Sequence, residues 1–176
     1  MSDAAPRRIL VIGISGAGKS TFARALATRT GLPLIHLDQE FWQPGWVVTP
    51  REPWRARVAL LAARETWIMD GSFDGSLDLR LPRADCVVWF DTSAPRAIGR
   101  VLRRIAASHG KVRPDLAPGC PEQWDWSFLS YIWNFNGRER PRIAAALGLY
   151  ARHLNPIMIR SDAEAARVLA AIPARA

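Results

Sequence analysis

The sequence predicts a three-layer α/β fold in which a five-stranded parallel sheet lies between two layers of helices. Five short apolar segments have the composition of buried strands: residues 8–12, 34–38, 66–71, 86–91 and 156–159. Segments with apolar residues at helical spacing separate these strands along the chain. A glycine-rich turn joins the first strand to the first helix. Strands that alternate with helices favour parallel pairing through βαβ units.

Size and composition indicate one globular domain over residues 1–176. The hydrophobic content is 49% and there is no low-complexity tract. No apolar run is long enough to cross a membrane, and residues 1–6 lack the apolar core of a secretory signal. Cys86 and Cys120 are too few to form a disulfide framework. We therefore expect a cytoplasmic protein with reduced thiols and no membrane partner.

The net charge of +8 comes almost wholly from arginine, since Lys19 and Lys111 are the only lysines among the 24 basic residues. Guanidinium groups suit bidentate recognition of phosphate. A coding bias towards arginine and alanine would give the same composition. The charge also permits non-specific nucleic-acid binding without demonstrating it.

The glycine-rich turn matches the phosphate-binding pattern G-x-x-x-x-G-K-[ST]. Its glycines let the backbone approach an anion, and amides from about residue 16 to residue 20 point into one concavity at the positive end of the helix. Lys19 is expected to reach the β- and γ-phosphates, Ser20 to bind Mg²⁺ and Thr21 to lie near the α-phosphate. A chance match is the alternative, which the flanking strand and helix disfavour. The turn residues expected to contact the nucleotide are Gly13, Ser15, Gly16, Ala17, Gly18, Lys19, Ser20 and Thr21.

The second predicted strand, residues 34–38, ends at Asp38 and is followed by an aromatic loop. Ligands of open α/β sheets sit beyond the carboxyl ends of the strands, which places Asp38 near the phosphate site. We expect Asp38 to hold or deprotonate an acceptor hydroxyl, with Trp42 or Trp46 as a wall of the pocket. The alternatives are a loop aspartate and packing tryptophans. His36 is expected in the core or at its rim.

Two further strands end in aspartate. Asp70 is the first choice for a Mg²⁺ ligand and Asp91 is the second, because a carboxylate at the end of a strand beside the loop strand suits that role. Between them, Arg80 and Arg83 are candidate phosphate contacts, unless nearby carboxylates pair with them.

The predicted helices have the following limits. Thr49, Pro50 and Glu52 form a capping-box pattern for a helix that runs to about residue 65. Ser161 and Glu164 form the same pattern for the last helix. An aromatic helix is expected to end at Asn136-Gly137, with a further helix over residues 143–152. In the aromatic helix, four residues recur at helical spacing: Trp124, Phe128, Tyr131 and Phe135. We expect them to form a stripe that packs on the core rather than a platform for base stacking.

The predicted helix that follows residue 93 and the loop after it carry basic side chains. Ser93 can cap this helix, whose apolar stripe leaves four arginines outside it: Arg96, Arg100, Arg103 and Arg104. A charged helix face is the ordinary explanation. However, a loop punctuated by proline and glycine follows, and we expect it to act as a short lid over residues 109–123, here called the lid segment. A second cationic group follows the lid segment at Arg138, Arg140 and Arg142.

The order of these elements resembles the adenylate-kinase-like branch of P-loop proteins. Residues 67–71 resemble the Asp-Gly strand motif of nucleoside monophosphate kinases, which implies that Asp70 serves Mg²⁺. Arg100, Arg104 and Arg113 resemble the arginines that those kinases place around the transferring phosphate. Ser72-Phe73-Asp74 replaces the Phe-Pro-Arg of adenylate kinases, so AMP is not implied as the acceptor.

A closer resemblance covers almost the whole chain, to the bacterial DNA topology modulation family of small P-loop proteins. The segments that carry it are His36-Leu37-Asp38, Phe41-Trp42-x-Pro44-Gly45-Trp46, Gly110-Lys111-x-Arg113-Pro114-Asp115, Gly119-Cys120-Pro121-Glu122 and Ile132-Trp133-Asn134-Phe135. The family name implies an influence on DNA topology. No recognition helix or zinc module that would read bases is evident in the sequence.

The sequence therefore predicts a phosphoryl transferase that uses Mg²⁺ and ATP or another nucleoside triphosphate, with a small-molecule acceptor. The predicted catalytic residues are Lys19, Asp38, Arg104, Arg113 and Arg138. A nucleic-acid-associated P-loop NTPase that modulates DNA topology is the alternative, and a nucleotide-binding regulator without turnover is a third. The pattern indicates neither the acceptor nor the oligomeric state.

Overall fold

The structure is a computed structural model that describes residues 6–150, 154 and 156–174. Its elements are, in chain order, β1 (Arg8–Gly13), α1 (Lys19–Thr30), β2 (Leu34–His36), α2 (Leu37–Phe41), β3 (Trp42–Gln43), β4 (Val47–Val48), α3 (Arg51–Ala62), β5 (Trp67–Asp70), α4 (Leu77–Arg80), β6 (Cys86–Phe90), α5 (Ala94–Ser108), α6 (Trp126–Leu149), β7 (Ile157–Ile159) and α7 (Asp162–Ala171). None of the helices within this described part is long and apolar enough to cross a membrane.

Five parallel strands form the predicted sheet, in the order β2-β5-β1-β6-β7. β1 lies at the centre, and its residues Ile9 to Ile12 are fully buried in the core. α1 packs against α7 and α5 packs against α6. Because the strands are parallel, Gly13, His36 and Asp70 end three neighbouring strands at the same edge of the sheet, and His36 lies opposite Asp70. The predicted fold class is confirmed.

The segment after β2 differs from the prediction. The strand ends at His36, and Asp38 lies in the first turn of the short helix α2 rather than at the end of a strand. The aromatic loop contains an antiparallel ribbon, in which Trp42 pairs with Val48 and Gln43 with Val47. Its turn contains Gly45 with φ at 79°, a left-handed conformation that glycine adopts without strain.

The capping box predicted at Thr49 is wrong. α3 begins at Arg51 after Pro50 and has no side-chain cap, and it ends at Ala62, earlier than residue 65. The Thr49 hydroxyl instead donates a hydrogen bond to the Phe41 carbonyl. The Thr49 side chain therefore bonds to α2 instead of capping α3 as the local pattern predicts.

The predicted break at Asn136-Gly137 is also wrong, because α6 is one helix of 24 residues with Pro141 in its interior. Ile132, Ile143 and Leu147 are buried on one continuous face that packs against the core. That burial outweighs the helix-breaking tendency of glycine and proline. The predicted core stripe is only partly correct: Phe135 is buried, whereas Trp124 and Tyr131 are exposed. The helix expected over residues 143–152 ends at Leu149, and residues 151–153, including His153, lie outside the described residues.

Arg80 is fully buried in the core, so its prediction as a phosphate contact is wrong. Its guanidinium donates to the carbonyls of Gly71, Ser72, Phe73 and Ser76, which form the loop that follows β5. Burial lowers the pKa of Arg80 to about 9, which leaves the group charged at neutral pH. Arg80 therefore fixes the loop next to Asp70.

We expect Arg80→Met to lower the free energy of unfolding by about 3 kcal/mol or more, because four buried or partly buried carbonyls lose a donor. Equilibrium unfolding in urea measures this change. Arg83→Met is the matched control, since Arg83 is exposed in the same segment and its loss should change stability by less than about 0.5 kcal/mol. Equal effects for the two variants would contradict this role of Arg80.

Candidate active site

The phosphate loop joins β1 to α1 and lies tightly against β6 and α5. Gly13 and Gly16 have φ values of 133° and 85°. A Cβ at Gly13 would lie 2.3 Å from the Phe90 carbonyl oxygen, and one at Gly16 would lie 2.5 Å from the Ala97 carbonyl oxygen. Both positions therefore require glycine, and the path of the loop depends on them.

The first turn of α1 presents free backbone amides to this loop. Gly18 is the N-cap residue in a left-handed conformation, and the helix has no side-chain cap. The amides of Lys19, Ser20 and Thr21 precede the first helical hydrogen bond, which runs from Phe22 to Gly18. Amides at a helix N-terminus, with the positive end of the helix dipole behind them, form a site for an anion.

A cavity of 580 Å³ lies in front of the loop, between α1, α5, α7 and the lid segment. Eight of the predicted site residues line it: Gly16, Gly18, Lys19, Ser20, Thr21, Arg100, Arg104 and Arg113. Phe90, Ala165 and Leu169 give the cavity an apolar side. Sequence reasoning missed the contribution of α7, because its apolar residues have the spacing of any core-facing helix. The cavity thus combines an anion site with an apolar wall.

Lys19 lies between this cavity and two carboxylates. Its ammonium group donates to the Ile14 carbonyl oxygen at 2.9 Å. Burial lowers the pKa of Lys19, and the charges of Asp70 and Asp38 oppose that effect. Burial also raises the pKa of Asp38, as does the charge of Asp70, while Lys19 lowers it. The structure therefore brings three predicted site residues into one electrostatic cluster.

Each of these two carboxylates has a ring nitrogen as a hydrogen-bonding partner. The Asp70 carboxylate is buried and lies 2.9 Å from His36 Nδ1. The Trp42 indole donates to Asp38 at 3.3 Å. The His36 contact was missed, because neighbouring strands are not identified by sequence order. The two contacts fix where Asp70 and Asp38 point.

Asp91, the other candidate for the metal, has different surroundings. Arg140 donates to both of its carboxylate oxygens, at 2.8 and 3.1 Å, and Arg160 lies 3.6 Å away. The hydrogen bond from Arg140 lowers the pKa of Asp91. Its two oxygens are therefore engaged by arginine, whereas Asp70 contacts His36 and its charge acts on Lys19.

The lid segment contains no helix or strand and packs on the β3–β4 ribbon. The Gly45 amide donates to the Gly119 carbonyl at 2.9 Å, and the Trp46 indole donates to the Pro121 carbonyl at 3.0 Å. The buried Cys120 thiol donates to the Gln43 carbonyl. Trp46 therefore anchors the lid segment, a role that the sequence did not reveal.

Two buried acids of the lid segment hold its arginine. Glu122 Oε1 accepts from Arg104 at 3.0 Å, and Asp115 accepts from Arg113 at 2.9 Å. Arg113 Nε lies 2.8 Å from Glu122 Oε2 but is poorly aligned with it. Consequently Arg113 Nε and Glu122 Oε2 lack a hydrogen bond within the described part of the chain, and Arg104 Nε lacks one as well. Burial, more than the charge of Arg113, lowers the pKa of Arg104.

The other predicted site residues lie elsewhere. Arg138 is exposed on α6 and is not among the residues that line the cavity. Arg100 is bound from two sides, since it donates to the Ala17 carbonyl at 3.0 Å and to Asp162 at 2.7 Å. It therefore ties α5 to the phosphate loop and to α7.

Aromatic rings cover the side of the site that carries Asp38. Phe41 contacts Trp42, Trp54 and Phe73 with ring centroids 4.9 to 5.0 Å apart, and Trp42 contacts Trp46 at 5.4 Å. Trp42 and Trp46 are half-buried. They therefore belong to a packed cluster whose edge faces Asp38.

Several kinases of known structure share this fold. A gluconokinase from Sinorhizobium meliloti 1021 aligns over 94% of this chain and 92% of its own, with 22% identity and a TM-score of 0.54. A shikimate kinase from Acinetobacter baumannii, in complex with shikimate, aligns over 93% and 89%, with 16% identity and a TM-score of 0.57. A shikimate kinase from Bacteroides thetaiotaomicron aligns over 94% and 95%, with 16% identity and a TM-score of 0.52.

Other comparisons found nothing: no model of a known protein family matches the chain, and no curated protein matches it. The resemblance to the DNA topology modulation family is therefore not shown. The likeness to the solved kinases establishes the architecture alone, because the identities are low. The chain has the P-loop α/β fold that these small-molecule kinases share.

Proposed function

We propose that this protein transfers the γ-phosphoryl group of Mg-ATP, or of another nucleoside triphosphate, to a hydroxyl of a small molecule. The observation that carries the proposal is one cavity lined by the first turn of α1, Lys19, Arg104 and Arg113. Asp38 is not among the residues that line this cavity, but its charge acts on Lys19, which does line it. The kinases that share the fold support the same reaction class.

In this proposal each residue has one role. The loop amides and Lys19 bind the β- and γ-phosphates, and Arg104 and Arg113 neutralise charge on the transferring group. Asp38 orients the acceptor hydroxyl and takes its proton. The acceptor oxygen forms a bond to the γ-phosphorus while the bond from phosphorus to the bridging oxygen breaks, and the nucleoside diphosphate leaves.

The candidate site also contains oxygen-bearing side chains that suit Mg²⁺. The metal prefers oxygen ligands and keeps several waters, and here Ser20 at the start of α1 and Asp70 at the end of β5 would hold it. Bound Mg²⁺ would neutralise the charge of the β- and γ-phosphates. Asp91 is the weaker candidate, because Arg140 occupies its oxygens.

The two aspartates can be separated by mutation. We expect Asp70→Asn to lower turnover about 100-fold or more and to raise the Mg²⁺ concentration that is needed, because a charged metal ligand is lost. Asp91→Asn should leave the Mg²⁺ dependence unchanged and lower the free energy of unfolding by about 1 kcal/mol, through weaker pairing with Arg140. Initial rates over a Mg²⁺ titration, with urea unfolding, distinguish these results. The reverse pattern would assign the metal to Asp91.

The proposal is tested by supplying ATP labelled in its γ-phosphate to panels of sugars, polyols, nucleosides, nucleotides and vitamins. The expected result is labelled product with one class and little label released as phosphate without it. Release of phosphate alone, unaffected by every panel, would leave an NTPase and reject the transferase. Absence of any nucleotide binding by calorimetry with Mg²⁺ present would reject both.

The nucleic-acid alternative is not favoured. Several arginines outside the cavity that could bind a phosphate backbone are engaged within the chain: Arg55, Arg57 and Arg140 each pair with a carboxylate. A protein that contacts several phosphates of DNA shows an affinity that falls steeply with salt. Measuring DNA binding over a salt series therefore tests this alternative directly.

A further inference from the structure

One face of α6 is exposed and apolar near its N-terminal end. Trp126 and Trp133 are 73% and 62% exposed, and Trp124, which contacts Trp126, is 48% exposed. Trp126 and Trp133 are seven residues apart and so lie on the same side of the helix. Indole rings are rarely left in water over such an area without a partner.

Towards the C-terminal end of α6, the same face carries residues with small side chains or none. Gly137, Ala144 and Gly148 continue it at helical spacing and are exposed. A Cβ at Gly137 or at Gly148 would meet nothing within 4 Å. Glycine costs a helix interior about 1 kcal/mol relative to alanine, so packing within this chain does not explain it. These glycines suit close approach by a molecule outside the chain.

The half of the face that carries tryptophans is complementary in shape to the half that carries glycine and alanine. We propose that α6 is the interface between two copies of this chain, packed antiparallel around a two-fold axis at Gly137. Residues equidistant from Gly137 then meet, which places Trp126 opposite Gly148 and Trp133 opposite Pro141. A two-fold interface uses the same patch on both copies, so it requires a patch that is complementary to itself.

The backbone at Gly137 adds a polar feature to the axis. Pro141 has no N–H, so the Gly137 carbonyl cannot accept the usual helical hydrogen bond from residue 141. The exposed Asn136 lies next to it. In the antiparallel pair, the Asn136 amide of each copy lies near the Gly137 carbonyl of the other.

The exposed area is of the size that a dimer needs. At up to about 250 Å² for a tryptophan side chain, the three exposed fractions leave roughly 450 Å² on each copy. A stable interface buries about 800 Å² on each partner. The tryptophans thus supply more than half of it before the rest of the 24-residue helix is included.

Charge favours a second copy over a nucleic acid as the occupant. Residues 124–137 contain one charged side chain, Asp125, which caps the helix through hydrogen bonds to the amides of Ser127 and Phe128. Aromatic platforms for single-stranded nucleic acid combine stacking rings with cations for the phosphates. Residues 124–137 lack such cations, and Arg140, seven residues after Trp133, is paired with Asp91.

The register is tested by a charge exchange, with sedimentation velocity as the measurement. The wild-type chain should sediment as a dimer, while Trp126→Lys and Gly148→Glu should each be monomeric. Mixing the two variants should restore a dimer, because one contact becomes Lys opposite Glu and the other stays Trp opposite Gly. Leu60→Glu is the matched control, since Leu60 is 68% exposed on α3, and it should remain a dimer.

The axis is tested by cysteine cross-linking. Gly137→Cys should form a disulfide-linked dimer under mild oxidation, because the two copies of residue 137 meet. Ala144→Cys should not exceed the background of the parent chain, since its two copies lie about 21 Å apart along the helices. Cys120 is buried and Cys86 is half-buried, which limits that background.

A wild-type chain that stays monomeric at micromolar concentration would overturn the proposal. So would a dimer that survives both Trp126→Lys and Gly148→Glu, or equal cross-linking at residues 137 and 144. Binding of an oligonucleotide that Trp133→Glu abolishes, by a monomeric wild-type chain, would assign the face to nucleic acid instead. A cooperative thermal unfolding transition in each variant confirms that its chain is folded, although loss of the partner subunit lowers its midpoint.

Discussion

Lys19→Met should lower phosphoryl transfer by about 10³-fold or more, because it removes a fixed positive charge from the proposed site of the β- and γ-phosphates. That factor corresponds to about 4 kcal/mol of transition-state stabilisation. Methionine has nearly the length of lysine, so the shape of the phosphate loop is kept. The measurement is turnover under saturating nucleotide, with nucleotide affinity determined separately by calorimetry.

The stability of the same variant separates catalysis from folding. Burial lowers the pKa of Lys19, which means that the folded protein holds this charge at a cost. The attraction of Asp70 and Asp38 offsets part of that cost. The two effects oppose each other, so Lys19→Met should change the free energy of unfolding by no more than about 1 kcal/mol. A large loss of stability together with retained turnover would contradict the role of Lys19.

The fold could be predicted because its strongest determinants are local. Each strand of the main sheet is a short apolar run, and Gly31 ends α1 in a left-handed conformation as its position indicates. Errors occurred where distant contacts decide the outcome. Thr49 bonds to Phe41 instead of capping α3, and burial of Ile143 carries α6 through Gly137.

In the candidate site, the residues of the phosphate loop could be identified from the sequence, whereas several contacts around them could not. Sequence spacing places Lys19 and Ser20 beside one another, because they belong to a single turn. It cannot reveal that His36 contacts Asp70, since that contact depends on which strands are neighbours. Glu122 was missed as a partner of Arg104, because that contact depends on how the lid segment folds back against α5.

The acidic residues of the lid segment hold its arginine in a fixed position. Glu122 and Asp115 are buried and hold Arg113 beside the cavity at neutral pH. Arg113 also lines the cavity, and a charge-assisted hydrogen bond from its guanidinium to a phosphate oxygen there would be stronger than a neutral one. The ion pairs therefore preorganise Arg113, so that little side-chain entropy remains to be lost when the nucleotide binds.

Arg113→Ala should consequently lower turnover by about 10³-fold or more, the effect of an arginine that neutralises a transferring phosphoryl group. Nucleotide affinity should fall much less than turnover, because the loop amides and Lys19 still hold the phosphates. Lys111→Ala is the matched control: Lys111 is the other cation of the lid segment and is exposed, so its loss should leave turnover nearly unchanged.

Arg113→Lys distinguishes charge from geometry. Lysine keeps the charge but lacks the planar fork that binds Glu122 and Asp115 together, so we expect only partial recovery of turnover. Full recovery would mean that charge alone matters and that the ion pairs with Glu122 and Asp115 are incidental. If Arg113→Ala instead retains more than about a tenth of wild-type turnover, Arg113 contributes less than about 1.4 kcal/mol and the lid segment takes no part in phosphoryl transfer.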